Sequence, residues 1–177
     1  MDKNTIFALS TAPGKAAIAI IRVSGPEALN TIKRLAGVIP PFRMATRLNL
    51  YYNNEFIDQS IVICFEDSKS YTGEKLVEFH IHGSNAVVSH LSNVLNVYLN
   101  LTIARPGEFT RRALENEKLD LSQVESIRDL IEAETKEQKK QALGLLSGSI
   151  RNRTKEWRKY IVNALALSET MIDFSEE

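Results

Sequence analysis

The chain has 177 residues, 44% hydrophobic and 25% charged, enough for one ordinary domain or a small domain with a helical extension. Lys+Arg and Asp+Glu both number 22, and this zero net charge excludes a global electrostatic case for nucleic acid. A single cysteine excludes an internal disulfide framework and a cysteine-based zinc site.

The N-terminus MDKNTIF has no basic segment followed by an apolar one, and no stretch reaches membrane-spanning length. No membrane association is expected, and the expected compartment is the cytoplasm. Residues 5–10 form a short strand candidate, and residues 11–15 (TAPGK) a loop. Residues 16–23 (AAIAIIRV) are nearly continuous apolar residues, the pattern of a strand buried on both faces. Arg22 interrupts that run near its end. A charge there must be paired, or must face solvent or a ligand.

Pro26 suits the first turn of a helix running to about Leu35, with Leu29, Ile32 and Leu35 on one face. Residues 47–52 and 56–65 predict a hairpin around Asn53-Asn54. Cys64 lies in its apolar second strand and is expected to be a buried structural thiol. Residues 66–73 (EDSKSYTG) are a polar loop.

Residues 76–82 (LVEFHIH) alternate with period two. Val77, Phe79 and Ile81 fall on a core face, and Glu78, His80 and His82 on the other. Three ionisable groups in a row require water, hydrogen-bond partners or a ligand. His80-x-His82 with His90 on the next helix makes a weak metal pattern, so no metal is expected. Residues 85–98 predict a helix with Val87, Val88, Leu91, Val94 and Leu95 inward, and residues 101–104 a strand completing a β–α–β unit.

Pro106-Gly107 opens a short helix over 108–115, which breaks at residues 116–120 (NEKLD) and restarts. Ser122-x-x-Glu125 predicts a capping box, with Asp120 as a competing cap. This helix carries Val124, Ile127, Leu130 and Ile131. From Lys136 follows a very long helix of about 50 Å, or two helices broken near Gly144–Gly148. Its stripe through Trp157, Ile161, Leu165 and Ile172 needs an apolar partner, and self-association is the expected one. The fold class is therefore α/β (α+β), a mixed β-sheet with flanking helices followed by long α-helices. The boundary falls between residues 1–118 and 119–177.

Five segments carry a family resemblance: TAPGK, IRVSG, SYTGE, VEFHIHG and ARPGEFTRRALENEKLDLSQVESIRDLI. In this order they closely resemble the MnmE (TrmE) family of tRNA modification GTPases, over the whole chain. The final Ile172-Asp173-Phe174-Ser175-Glu176-Glu177 resembles the point just before that family's G domain. The resemblance implies an N-terminal domain that binds 5-formyltetrahydrofolate or a related tetrahydrofolate and forms a homodimer, followed by a helical domain. It also implies an FAD-dependent partner, MnmG, and tRNA reached through that complex. The reaction would add a carboxymethylaminomethyl-type group at C5 of the wobble uridine.

By the same resemblance the folate contacts fall on Arg22 of IRVSG, Glu78 of VEFHIHG and Lys118 of NEKLDL. The chemistry agrees. A carboxylate on a strand accepts the paired N–H groups of a pterin edge, and a cation meets the anionic glutamate tail. Which of Arg22 and Lys118 meets the tail stays open. Two departures from the family pattern, Ile81 and Gly83-Ser84, bear on the pocket wall. The 177 residues contain no G-x-x-x-x-G-K-[ST] loop, so GTP, Mg and K are expected only with a G domain, and no catalytic residue is assigned here. The chain is expected to be the N-terminal part of a longer protein. Two other classes remain: a free-standing one-carbon transferase using His80 or His82, and a non-catalytic dimerisation module.

Overall fold

A computed structural model describes residues 4–173, so the closing residues 174–177, where the family's G domain is expected to follow, lie outside the described residues. The chain divides into two compact units, Met1–Lys118 and Leu119–Glu177.

In the first unit six strands form one mixed sheet among the described residues. They are β1 (Ile6–Leu9), β2 (Ile18–Ser24), β3 (Thr46–Tyr52), β4 (Glu55–Phe65), β5 (Leu76–His82) and β6 (Thr102–Ile103), in the order β3-β4-β5-β2-β1-β6. All neighbours pair antiparallel except β1 with β6. The hairpin β3–β4 turns on Asn53 and Asn54, both at positive φ (49° and 66°), which asparagine tolerates better than most residues. The predicted β–α–β unit is a crossover. β6 lies beside β1, with β2 and β1 between it and β5.

One face of the sheet carries α1 (Ala28–Ala36) and α2 (Asn85–Asn93). Ile21, Val23, Val62, Val77, Phe79 and Ile81 meet Ala28, Ile32, Leu35 and Leu91 there, with Cys64 among them. Burying each large side chain contributes roughly 1.5–3 kcal/mol. The α2 helix continues into one π-helical turn, Val94–Tyr98, which keeps Val94 and Leu95 in the core.

The other face corrects the sequence reading of β2. Its apolar run is not buried twice, because α1 and α2 both pack on the first face. Ile18 is 59% exposed, and Ile61, across β5 on β4, is exposed too. At the opposite end, by contrast, Ile6, Ser24 and Leu76 are buried. There the sheet is covered by residues 66–75 and by α3 (Glu108–Glu115), whose Ala113 is fully buried.

The second unit contains α4 (Leu121–Glu132), α5 (Lys136–Leu146) and α6 (Ser149–Asp173). Asp120, not Ser122, caps α4. Its extended backbone lets the carboxylate accept the Gln123 N–H at 2.9 Å, while Gln123 Oε1 accepts the Asp120 N–H at 3.0 Å. Ser122 already lies inside the helix and donates to Asp120 Oδ1 at 2.7 Å. Thr135 and Gln138 build the same box on α5. The long rear helix is broken, at Ser147-Gly148, where Gly148 sits at φ 81°. The 25 residues of α6 therefore extend only about 37 Å. Within this unit α4 and α5 pack together, and Ile131 on α4 is exposed.

Candidate functional site

Strand register sets the geometry of the site. On β5, Leu76, Glu78, His80 and His82 share the sheet face opposite the helices. Their partners on β2 are Ser24, Arg22, Ile20 and Ile18. Arg22 and Glu78 are thus direct cross-strand neighbours. The guanidinium donates through Nε at 3.0 Å and Nη2 at 2.8 Å to a single carboxylate oxygen, Oε1. Such a cross-strand pair contributes ~0.2–1 kcal/mol to the sheet.

The second oxygen of Glu78 makes no hydrogen bond among the described residues. His80 Nε2 approaches Oε2 only to 3.5 Å, and that ring nitrogen is itself buried without a hydrogen-bond partner. A buried polar atom left unpaired is costly, so this spot has unused hydrogen-bonding capacity. Two aromatic rings flank the pair. The Arg22 guanidinium carbon lies 5.2 Å from the ring centre of Tyr71 and 5.5 Å from that of Phe109, within cation–π range of both.

His82, the third ionisable group of the row, has a local explanation. Asp58 accepts both its backbone N–H at 2.8 Å and an Nδ1 contact at 2.7 Å, at the end of β5. His90 is 3.8 Å from Glu55, far from both. Among the described residues no group of three His, Cys, Asp or Glu side chains could hold a metal ion.

Lys118, the third residue singled out in the sequence, does not join the Arg22–Glu78 pair. Its Nζ donates to the Ser68 carbonyl at 2.7 Å. It packs instead on the loop that carries Tyr71. Gly73, at φ 76°, leaves room for this; a Cβ there would stand 2.9 Å from Asn116 Cβ and 3.1 Å from Lys118 Cγ. The structure therefore brings Arg22 and Glu78 into contact, and ties Lys118 to the loop beside them.

That loop is the feature that composition misreads. Residues 66–75 are polar, yet Ser70, Thr72 and Glu74 are buried. Glu74 Oε2 accepts from Ser24 Oγ at 2.9 Å and from Arg112 Nη1 at 3.0 Å. The Ser24 and Thr72 hydroxyls bond at 2.7 Å, and Asn116 Nδ2 donates to the Thr72 carbonyl at 2.7 Å. Tyr71 Oη and Thr110 Oγ1 are 2.9 Å apart. Arg112 also donates to Glu108 at 3.1 Å. Burial opposes ionisation of Glu108, but the Arg105 backbone N–H and the Arg112 guanidinium outweigh it and hold this carboxyl below its ordinary range. Tyr71 and Phe109 against Arg22, and Glu74 and Arg112 behind the loop, were not among the candidate residues singled out in the sequence. The signal lay in the pairing of acids in one segment with arginines in another, which no local pattern reveals.

A cleft of about 630 Å³ runs along α3, lined by Asn4, Thr102, Arg105, Arg111, Arg112 and Glu115 among others. None of Arg22, Glu78 and Lys118 lines it. In the second unit, no charged cluster of comparable burial occurs among the described residues. No helix among the described residues is long and apolar enough to cross a membrane.

Comparison with known proteins covers both units. Residues 5–118 match the family model described as GTP-binding protein TrmE N-terminus, and residues 121–177 match the MnmE helical domain. Among curated relatives, the tRNA modification GTPase MnmE of Dinoroseobacter shibae is 47% identical over 175 residues, 98% of this chain and 41% of the relative. The protein of that name in Rhodopseudomonas palustris is 48% identical over 176 residues, 99% of this chain and 39% of the relative. That of Caulobacter vibrioides is 47% identical over 174 residues, again 98% of this chain and 39% of the relative. The chain spans about two-fifths of the length of the curated relatives it matches.

Proposed function

This chain belongs to the TrmE/MnmE family, and on that premise we propose that it is the folate-binding and dimerising front part of a tRNA-modifying GTPase. In this reading residues 1–118 are the domain that binds 5-formyltetrahydrofolate or a related one-carbon folate and forms the homodimer. Residues 119–177 begin the helical domain. The whole protein works with the FAD-dependent MnmG on the wobble uridine of tRNA in the cytoplasm. GTP hydrolysis, with its Mg and K, belongs to a G domain, since these 177 residues hold no phosphate loop.

One observation supports the ligand assignment above the rest. Glu78 spends one oxygen on Arg22 and keeps the other without a hydrogen bond, beside an orphaned His80 nitrogen and two half-buried rings. A pterin edge offers adjacent N–H groups to such a carboxylate, and its flat ring suits aromatic neighbours. Arg22 and Lys118 supply positive charge for the anionic tail. The bound folate would supply the one-carbon unit; the residues here bind and orient it.

Calorimetric titration of 5-formyltetrahydrofolate into the chain tests this. Saturable binding that weakens in Glu78→Ala and Arg22→Ala supports the assignment, and equal affinity in both variants defeats it. Turnover of a folate one-carbon donor by the chain alone would favour a free-standing transferase. Absence of any binding would leave a dimerisation module.

A further inference from the structure

We propose that the buried Glu74–Arg112 ion pair is the positioning element of this site, the contact that holds Lys118 and Tyr71 in register with Arg22 and Glu78. The inference rests on the folate-binding reading above and adds to it two residues that touch no ligand.

Arg22 and Glu78 are fixed by the sheet itself, because both sit in paired strands with matched register. Lys118 and Tyr71 are not. They lie in segments outside any ladder, residues 66–75 and the turn after α3; backbone bonds tie Lys118 to Ala113 and Lys75 to Gly25, and side-chain contacts set one segment against the other. Glu74 Oε2 is where those contacts converge. It joins Ser24 at the end of β2 to Arg112 on α3. Thr72, two residues earlier, bonds the same Ser24 hydroxyl and, through its carbonyl, Asn116. Between them Gly73 lies against both Asn116 and Lys118. Ser24 is two residues from Arg22 on the same strand face, so these contacts join the end of β2 to the loop and to the turn that carries Lys118.

Glu74 is buried and Arg112 largely so, with side chains 8% and 12% exposed. Removing Arg112 leaves the Glu74 carboxylate buried without a charge partner, which forces local rearrangement, whereas Arg112 without Glu74 keeps Glu108 at 3.1 Å and makes Glu74→Gln the milder change. The element free to rearrange is the 66–75 loop. The strands stay where their backbone ladders hold them.

The test uses the full chain with Arg112→Met, and Glu74→Gln as the milder variant should the first fail to fold. Backbone hydrogen exchange of residues 66–75 should rise in either variant while β2 and β5 stay protected. Affinity for 5-formyltetrahydrofolate should fall about tenfold, within the coupling range of residues sharing one hydrogen-bond network. The decisive arm is a pair of double-mutant cycles. Lys118→Ala should weaken binding in the parent but add nothing in the Arg112→Met background, whereas Glu78→Ala should retain its full effect there. Unchanged exchange in 66–75, or additive effects of Lys118→Ala and Arg112→Met, would overturn the proposal. If the parent chain binds no folate, the functional reading fails, and the exchange measurement alone then decides whether the pair positions the loop.

Discussion

Arg22 and Glu78 stand directly opposite each other on β2 and β5, and both N–H donors of the guanidinium fall on one carboxylate oxygen, leaving the second to face His80 at 3.5 Å. The arginine fork grips one oxygen instead of spanning two, so the pair is not the bidentate arrangement that an arginine and a carboxylate often adopt.

The first prediction concerns that pair. A charge-assisted hydrogen bond contributes about 1.5–3 kcal/mol, so Glu78→Gln should weaken 5-formyltetrahydrofolate binding roughly ten- to a hundredfold. The same change should cost little stability, because glutamine keeps the side chain's shape and an oxygen that can accept from Arg22. Calorimetry and thermal melts of one sample separate the two effects. Affinity unchanged with the fold intact would remove Glu78 from the site.

Gly73 provides a steric test. Alanine there must adopt φ 76° and place a Cβ 2.9 Å from Asn116 Cβ. Gly73→Ala should therefore destabilise the first unit by more than ~1 kcal/mol. Chemical denaturation followed by circular dichroism reads this directly, and a stability equal to the parent's would show that the loop shifts freely.

Asp120 gives a pH signature. The Ser122 hydroxyl first, then the Gln123 backbone N–H, hold its carboxyl below the ordinary aspartate range. Its folded value is depressed, so its contribution to stability is present above the unfolded value of about 3.9 and is lost as pH falls through the lower folded one. Asp120→Ala should cost about 1 kcal/mol at neutral pH, the usual worth of an N-cap. Melts from pH 6 down to pH 2 should show the parent and Asp120→Ala converging at the acid end. Parallel curves would rule out a capping role.

Cys64 should be silent. Burial pushes its thiol up to about 11, so it remains protonated and screened at neutral pH. Reaction with a thiol reagent at pH 8 should follow the unfolding rate and accelerate only with denaturant. Prompt labelling of the native chain would contradict its place in the core.

Trp157, the single tryptophan, reports on the exposed stripe of α6. It is 57% exposed, and Ile161, Leu165 and Ile172 are exposed with it. Its emission in dilute native protein should be nearly as red as in the denatured chain, and a hydrophobic dye should bind. Blue emission without dye binding would mean that the stripe is covered.

The sequence determined much of this protein by local rules. Period-two alternation over LVEFHIH assigned Val77, Phe79 and Ile81 to the core, and all three are buried. Asn53-Asn54 marked the hairpin, and Asp120 was visible as a cap candidate, because turns and caps depend on neighbours a few residues away. The long motifs were enough to indicate the family. Other features required the tertiary structure. Whether Ile18 and Ile20 are covered depends on where the helices pack, and both helices pack on the other face. Arg22 pairs with Glu78 across 56 residues of chain, and Glu74 with Arg112 across 38. The composition of a polar loop therefore gave no sign that Ser70, Thr72 and Glu74 are buried, because Glu74 meets a helix that follows more than thirty residues later. Hydrogen-bond partners brought together by chain crossing leave no periodic trace, and on that crossing rests the placement of Lys118 beside the loop that carries Tyr71.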